Sequence, residues 1–178
     1  CNLREDEKAR FVLLASCLNG MPMALRSGQG HSDNADGFAS HGRVYKSLLD
    51  LTTIKKFTVV HHICSTTAAS GIIRSGLCRT SGSRIMNMGS LYKQFSDGCV
   101  AGMRHVGKGL DHEVTILLSD LDRCTNPEEQ VDVWISNSGS VNIPFDVCPD
   151  LIWSVTRTSR DYKHELVYHR DMYDANLY

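Results

Sequence analysis

Hydrophobic and polar positions alternate along the chain in short blocks rather than in long periodic runs. Phe11–Ala15 and Phe57–Val60 are compact clusters of aromatic, aliphatic and β-branched residues between polar breaks, the pattern of short strands. From Ser65 or Thr66 the pattern predicts a helix that runs to about Ser75, capped by a hydroxyl at its start. Ile72 and Ile73 lie on its apolar face, and Gly76 takes the left-handed C-terminal position. His61 and His62 stand at the end of the strand that feeds this helix. Val114–Leu118 predicts a buried strand, Val131–Ser136 alternates as another, and Leu151–Val155 forms a further one. Asn137-Ser138-Gly139-Ser140 signals a turn, and Asn126-Pro127 opens a short helical turn. Gly28, Gly30, Gly37 and Gly42 predict an irregular loop over Arg26–Arg43, with backbone amides able to approach an anion. Several strands with few, short helices make a mixed α+β domain.

A chain of 178 residues supports one domain with at most a short appendage, able to bury roughly 70 % of its unfolded surface. The composition, 42 % hydrophobic and 22 % charged, is that of a globular protein rather than a disordered or fibrous one. No apolar run approaches the roughly 18 residues of a membrane span, so no membrane partner is expected. Arg4, Glu5, Asp6, Glu7, Lys8 and Arg10 crowd the start where a signal peptide would need an apolar stretch. A chain beginning at Cys1 reads as a fragment or processed product. The expected organisation is a domain over 1–160 and a C-terminal extension over 161–178. That extension is acidic and carries Tyr162, Tyr168, Tyr173 and Tyr178, as a terminal strand and tail or as a docking surface.

The net charge of -1 conceals an asymmetry. Between Arg26 and Leu110 there are eleven Lys and Arg against four Asp, whereas the flanks carry eight basic against sixteen acidic residues. The basic middle can attract phosphates over long range, although a solvated face without a ligand carries the same signature. Seven cysteines, an odd number with no C-x-x-C pair, point to a reducing compartment, hence an intracellular, cytoplasmic location. Adjacent histidines at 61 and 62 lack the i, i+4 spacing of a helical metal pair, so no metal is expected.

Dinucleotide-binding G-x-G-x-x-G after a strand, the phosphate-cradling G-x-x-x-x-G-K-[ST], G-x-S-x-G and H-E-x-x-H are all missing from the sequence. The specific information lies instead in an ordered set of longer strings. Leu25-Arg26-Ser27-Gly28-Gln29-Gly30-His31-Ser32 resembles the I-R-A-N-Q-G-H-S segment of the NAD-dependent RNA 2'-phosphotransferase family. Upstream, Lys8-Ala9-Arg10-Phe11 is similar to that family's K-x-R-F. Val60-His61-His62-Ile63 stands where the family has an H-G-T strand end, and Ile72-Ile73-Arg74-Ser75-Gly76-Leu77 resembles its I-I-x-x-G-L helix end. Ser83-Arg84 is similar to its S-R and Val100-Ala101-Gly102-Met103-Arg104 to its V-x-x-G-M-R. Ser138-Gly139-Ser140-Val141-Asn142-Ile143-Pro144 resembles its late G-x-I-P turn. The strings follow the family's order across about residues 8–155.

The resemblance implies an ADP-ribosyltransferase-like fold: a split, curved β-sheet with a few flanking helices, and a cleft between Arg26, His61, Arg84 and Arg104. It implies NAD as co-substrate and, as partner, an RNA carrying a 2'-phosphate or another phosphorylated nucleic acid. In the implied reaction the RNA 2'-phosphate attacks the anomeric carbon of the nicotinamide ribose and expels nicotinamide. The neighbouring ribose hydroxyl then attacks the phosphate, releasing dephosphorylated RNA and ADP-ribose 1'',2''-cyclic phosphate. By position Arg26 and Arg104 match the catalytic, phosphate-binding arginines, with His31 beside the phosphate, and His61, His62, Ser83 and Arg84 match the cofactor-binding set. Guanidiniums suit this role because they clamp phosphate bidentately and stay charged.

Three departures from the family accompany the matches. Its H-x-H after S-R is replaced by Met86-Asn87-Met88, so thioethers, weak acceptors, stand where imidazoles would. His62-Ile63 replaces Gly-Thr. The family's N-terminal winged-helix lobe would lie upstream of Cys1, within further domains of a parent protein. These departures leave two alternatives open: a catalytically degenerate RNA- or ADP-ribose-binding domain of a larger protein, a viral one included, and an ADP-ribosyltransferase acting on a nucleic-acid end or a protein.

Overall fold

The computed structural model describes the backbone at 11–15, 22–27, 47–48 and 173–174, and backbone with side chains at 49–79, 86–94, 96, 109–124, 132–135, 139–158 and 164–172. Strands β1 (Phe11–Ala15) and β2 (Pro22–Ser27) pair antiparallel as a two-stranded ribbon. β3 (Ser47–Leu48), β4 (Val59–Cys64), β5 (Asn87–Ser90), β6 (His112–Leu117), β7 (Trp134–Ile135), β8 (Ser140–Ile143), β9 (Ile152–Thr158) and β10 (His164–His169) form an open eight-stranded sheet. Its order is β10-β9-β6-β4-β5-β8-β7-β3, and every described pairing is antiparallel. The helices are α1 (Leu51–Phe57), α2 (Thr66–Ser75), α3 (Leu118–Arg123) and α4 (Arg170–Asp174). The molecule is mixed α+β with few helices, as the sequence pattern predicts.

Alternation of side chains across a strand divides the sheet into an apolar and a polar face. Val60 and Cys64 on β4, Val114 and Ile116 on β6, and Ile152 and Val155 on β9 point one way and are almost fully buried. Val141 and Ile143 of β8 and Ile135 of β7 continue this face. Ala69 and Ile72 of α2 and Leu118 and Leu121 of α3 complete the same buried cluster. Each Val, Leu or Ile side chain among them contributes roughly 1.5–3 kcal/mol on removal from water, so this face holds the sheet and helices together.

Local chemistry explains the element ends. Ser65 accepts from the Ala68 N–H at 3.3 Å and caps α2, as its spacing predicts. Gly76 follows with φ +77° and ψ −171°, a conformation that L side chains rarely adopt; a Cβ there would run into the Val147 carbonyl. That close approach lets Leu77 and Val147 exchange two backbone hydrogen bonds at 2.9 and 3.0 Å.

Several elements depart from the sequence pattern. Phe57 ends α1 instead of opening a strand, because Asp50 caps that helix by accepting from Thr53 N at 2.7 Å. β4 continues through His61 and His62 to Cys64 instead of stopping before them. The strand expected over Val131–Ser136 is described only at Trp134–Ile135, and Leu151 belongs to a 3-10 turn ahead of β9. Arg26 and Ser27 complete β2, so any irregular segment begins after them; the rest of Arg26–Arg43 and the Asn126-Pro127 turn lie outside the described residues. β10, within the acidic C-terminal stretch, pairs with β9. It is further anchored by Arg170, which reaches the buried Asp120 carboxylate at 2.8 Å and stacks over Trp153.

Candidate functional site

The polar face of the sheet is built from the residues that alternate with the core. His61 on β4, Glu113 and Thr115 on β6, and Ser154 and Thr156 on β9 share it, with Ser90 and Ser140 on β5 and β8. Most of these groups are buried: Glu113 is 3 % exposed, and Ser90, Thr115, Ser140 and Ser154 are also enclosed. Burying polar groups costs free energy unless they find partners, and some do. Thr115 and Ser154 share a hydroxyl hydrogen bond of 2.6 Å.

Glu113 organises the middle of this face. Its Oε1 lies 3.3 Å from His61 Nδ1, and its Oε2 accepts from the Gln94 backbone N–H at 3.0 Å. Burial alone would raise the pKa of this carboxyl. The His61 ring, the Gln94 N–H and the charge of Lys93 outweigh that effect and hold it below the ordinary carboxylate value of 4.5. Other hydrogen-bonding capacity here is unmet. Both amide atoms of Gln94, itself 4 % exposed, and the Thr156 hydroxyl have no partner among the described residues, and His61 Nδ1 makes no aligned hydrogen bond.

The central strands constrain how β4 meets β5. Their register holds the single Cα pair His61↔Ser90. Gly89 sits against β4 there: a Cβ on it would overlap the Val60 side chain and come within 3.1 Å of the His61 carbonyl. Beyond this junction, His62 Nδ1 donates to the Met88 carbonyl at 2.8 Å. His61 and His62, both expected from the resemblance in the cofactor-binding set, therefore point to opposite faces. His61 joins Glu113 on the polar one, while His62 shares its side of the sheet with Val60, Cys64 and Val114.

Of the other site residues expected from sequence, Arg26 lies on β2 opposite Val12, and only its backbone is described. His31, Ser83, Arg84 and Arg104 lie outside the described residues. Among the departures, Met86 is 6 % exposed and packs as an interior side chain. Asn87 is also built into the fold, its amide donating to the Leu77 and Phe145 carbonyls at 2.9 and 3.0 Å.

Glu113, Gln94 and Thr156 were not singled out by motif reasoning. Alternation offered a signal for Glu113: in His112-Glu113-Val114-Thr115-Ile116 the polar residues at 113 and 115 alternate with core residues at 114 and 116. A buried group with a strongly raised pKa lies on the other side of the sheet. The Cys64 thiol, on the core side, is pushed up to about 12 by burial and by Asp111, so it is an unreactive packing group. Among the described residues, no group of three or more His, Cys, Asp and Glu is placed to hold a metal ion, and no helix is long and apolar enough to cross a membrane. No protein-family model matches the chain, and no curated protein matches it significantly.

Proposed function

We propose that this chain is an RNA 2'-phosphotransferase-like domain that takes NAD as co-substrate and an RNA 2'-phosphate as the accepting nucleophile. The observation that carries the reading is the placement of His61. The residue that matches the family's strand-end histidine lies on a central strand, on the buried polar face, beside a carboxylate and an amide that has no partner among the described residues. Imidazole, hydroxyl and amide groups are the donors and acceptors that ribose hydroxyls and a carboxamide require. The one-pair junction of β4 with β5 supports an ADP-ribosyltransferase-like split of the sheet at this point.

In this reading His61 and the polar face hold the nicotinamide ribose, with Ser83 and Arg84 lining the same site. Arg26 and Arg104, with His31 beside them, clamp the 2'-phosphate and offset the anionic oxygens of both steps. The first step forms a bond from a phosphate oxygen to the anomeric carbon as the bond to nicotinamide breaks. In the second, the adjacent ribose hydroxyl attacks phosphorus, loses its proton, and displaces the RNA 2'-oxygen, which takes up a proton.

One observation favours a second reading, a non-catalytic domain that binds RNA or ADP-ribosyl groups: Met86 is an interior side chain where the family has an imidazole. Titration of the labelled chain with NAD and with ADP-ribose, followed by NMR, separates the two. Saturable shifts at His61 with both ligands support the NAD site. Shifts with ADP-ribose alone support the binding domain, and shifts with neither remove the NAD site and the ADP-ribosyl-binding form of the second reading.

A further inference from the structure

We infer that Glu113 is a positioning residue for His61: it holds the imidazole with its proton on Nδ1 and so presents Nε2 to whatever occupies the polar face. The inference rests on the NAD-site reading only for the identity of that occupant; the His61–Glu113–Gln94 geometry stands without it.

The steps are short. An ionised carboxylate has no proton and can only accept. Glu113 is enclosed at 3 % exposure, and one of its oxygens is held by the Gln94 N–H at 3.0 Å, which fixes the rotation of the carboxylate. The other oxygen therefore stays 3.3 Å from His61 Nδ1. The contact lies off the ideal hydrogen-bond line, yet a lone pair at Nδ1 would still sit 3.3 Å from a carboxylate oxygen in a buried setting, where the negative charge favours a proton over a lone pair. The ring avoids it by carrying its proton on Nδ1. In the neutral ring Nε2 is then an acceptor, and no described residue bonds it. Ligand hydroxyls are its natural donors. Histidines are commonly oriented in this way by the partner of the other ring nitrogen.

Gln94 adds a sharper consequence. In Glu113→Gln the side-chain amide must keep its oxygen toward the Gln94 N–H, so its NH2 group turns to His61 Nδ1. That nitrogen must then accept, and the proton moves to Nε2. A carboxylate that merely fills space would leave the tautomer unchanged.

The test is long-range ¹H–¹⁵N correlation NMR of the full chain labelled at histidine, at a pH where the ring is neutral, with His61 assigned from the signal lost in His61→Asn. The expected result is a protonated Nδ1 in the wild type and a protonated Nε2 in Glu113→Gln. A wild-type ring protonated on Nε2 overturns the inference, and does so even if the variant fails to fold. An unchanged tautomer in a folded variant also overturns it. NAD titration of the same samples reads the occupant separately: the tautomer change should weaken NAD binding about tenfold, the equivalent of one hydrogen bond. Absence of NAD binding by the wild type would count against the NAD-site reading while leaving the tautomer result to decide the role of Glu113.

Discussion

Glu113 reaches diagonally past its own register partner, Ile63, to bring Oε1 within 3.3 Å of His61 Nδ1. The contact joins two neighbouring central strands on the polar side of a sheet whose other side is the hydrophobic core. A buried carboxylate in that position gives the domain both a pH dependence and an oriented imidazole.

The pH dependence has a definite sign. The folded Glu113 carboxyl titrates below its ordinary value of 4.5, so the unfolded chain takes up this proton first as pH falls. The contribution of Glu113 is fully present above the unfolded value and is lost as pH falls through the folded one. Urea midpoints measured from pH 6 downward should decline more steeply for the wild type below about 4.5 than for Glu113→Gln. Parallel curves would show that the carboxylate contributes nothing to acid sensitivity.

Gln94 makes a prediction of the opposite kind. Its backbone serves Glu113, but its side-chain amide is buried without a partner among the described residues. Gln94→Met keeps the backbone contact and the approximate volume while removing two unmet polar atoms. The variant should be more stable than wild type, by about 1 kcal/mol. A loss of stability in denaturant titration would mean that the amide is satisfied in the folded chain.

Thr58, between α1 and β4, has φ 54° and ψ −47°, a backbone conformation unfavourable for a β-branched residue. Its side chain is exposed, and its carbonyl accepts from Leu118 N at 2.9 Å, which pins the turn. Thr58→Gly removes the steric cost at the expense of a more flexible unfolded chain and should be stabilising by about 1 kcal/mol. Thermal unfolding that moves to lower temperature would show that the turn is not strained.

Arg26→Ala and Arg104→Ala test the proposed phosphate clamp. Each should abolish turnover, with a loss of at least about a hundredfold, while leaving folding nearly intact. Single-turnover kinetics with an RNA 2'-phosphate and NAD provide the readout. A variant with unchanged turnover removes that arginine from the mechanism.

Where local chemistry dictated structure, the sequence was legible. Strand Phe11–Ala15, the Ser65 cap, the helix to Ser75 and the positive φ of Gly76 all follow from neighbouring residues. α1 was missed because Phe57 looks strand-forming, which outweighed the equally local capping signal of Asp50 three residues before Thr53. β5 was missed because Asn87-Met88-Gly89-Ser90 has little strand propensity; its place is set by pairing with β8 and by Gly89 against β4. On the polar face, His61 was singled out by its motif, whereas Glu113 was not, since its contact with His61 is a cross-strand diagonal set by the register. Adjacency in sequence also grouped His61 with His62, whereas strand alternation sends them to opposite faces.

The most direct measurement is an incubation of the purified chain with NAD and a short RNA bearing one internal 2'-phosphate, with mass spectrometry of both RNA and nucleotide products. The proposed function predicts loss of one phosphate from the RNA, release of nicotinamide, and formation of ADP-ribose 1'',2''-cyclic phosphate. Unchanged RNA and intact NAD, from a chain shown to be folded, would contradict it.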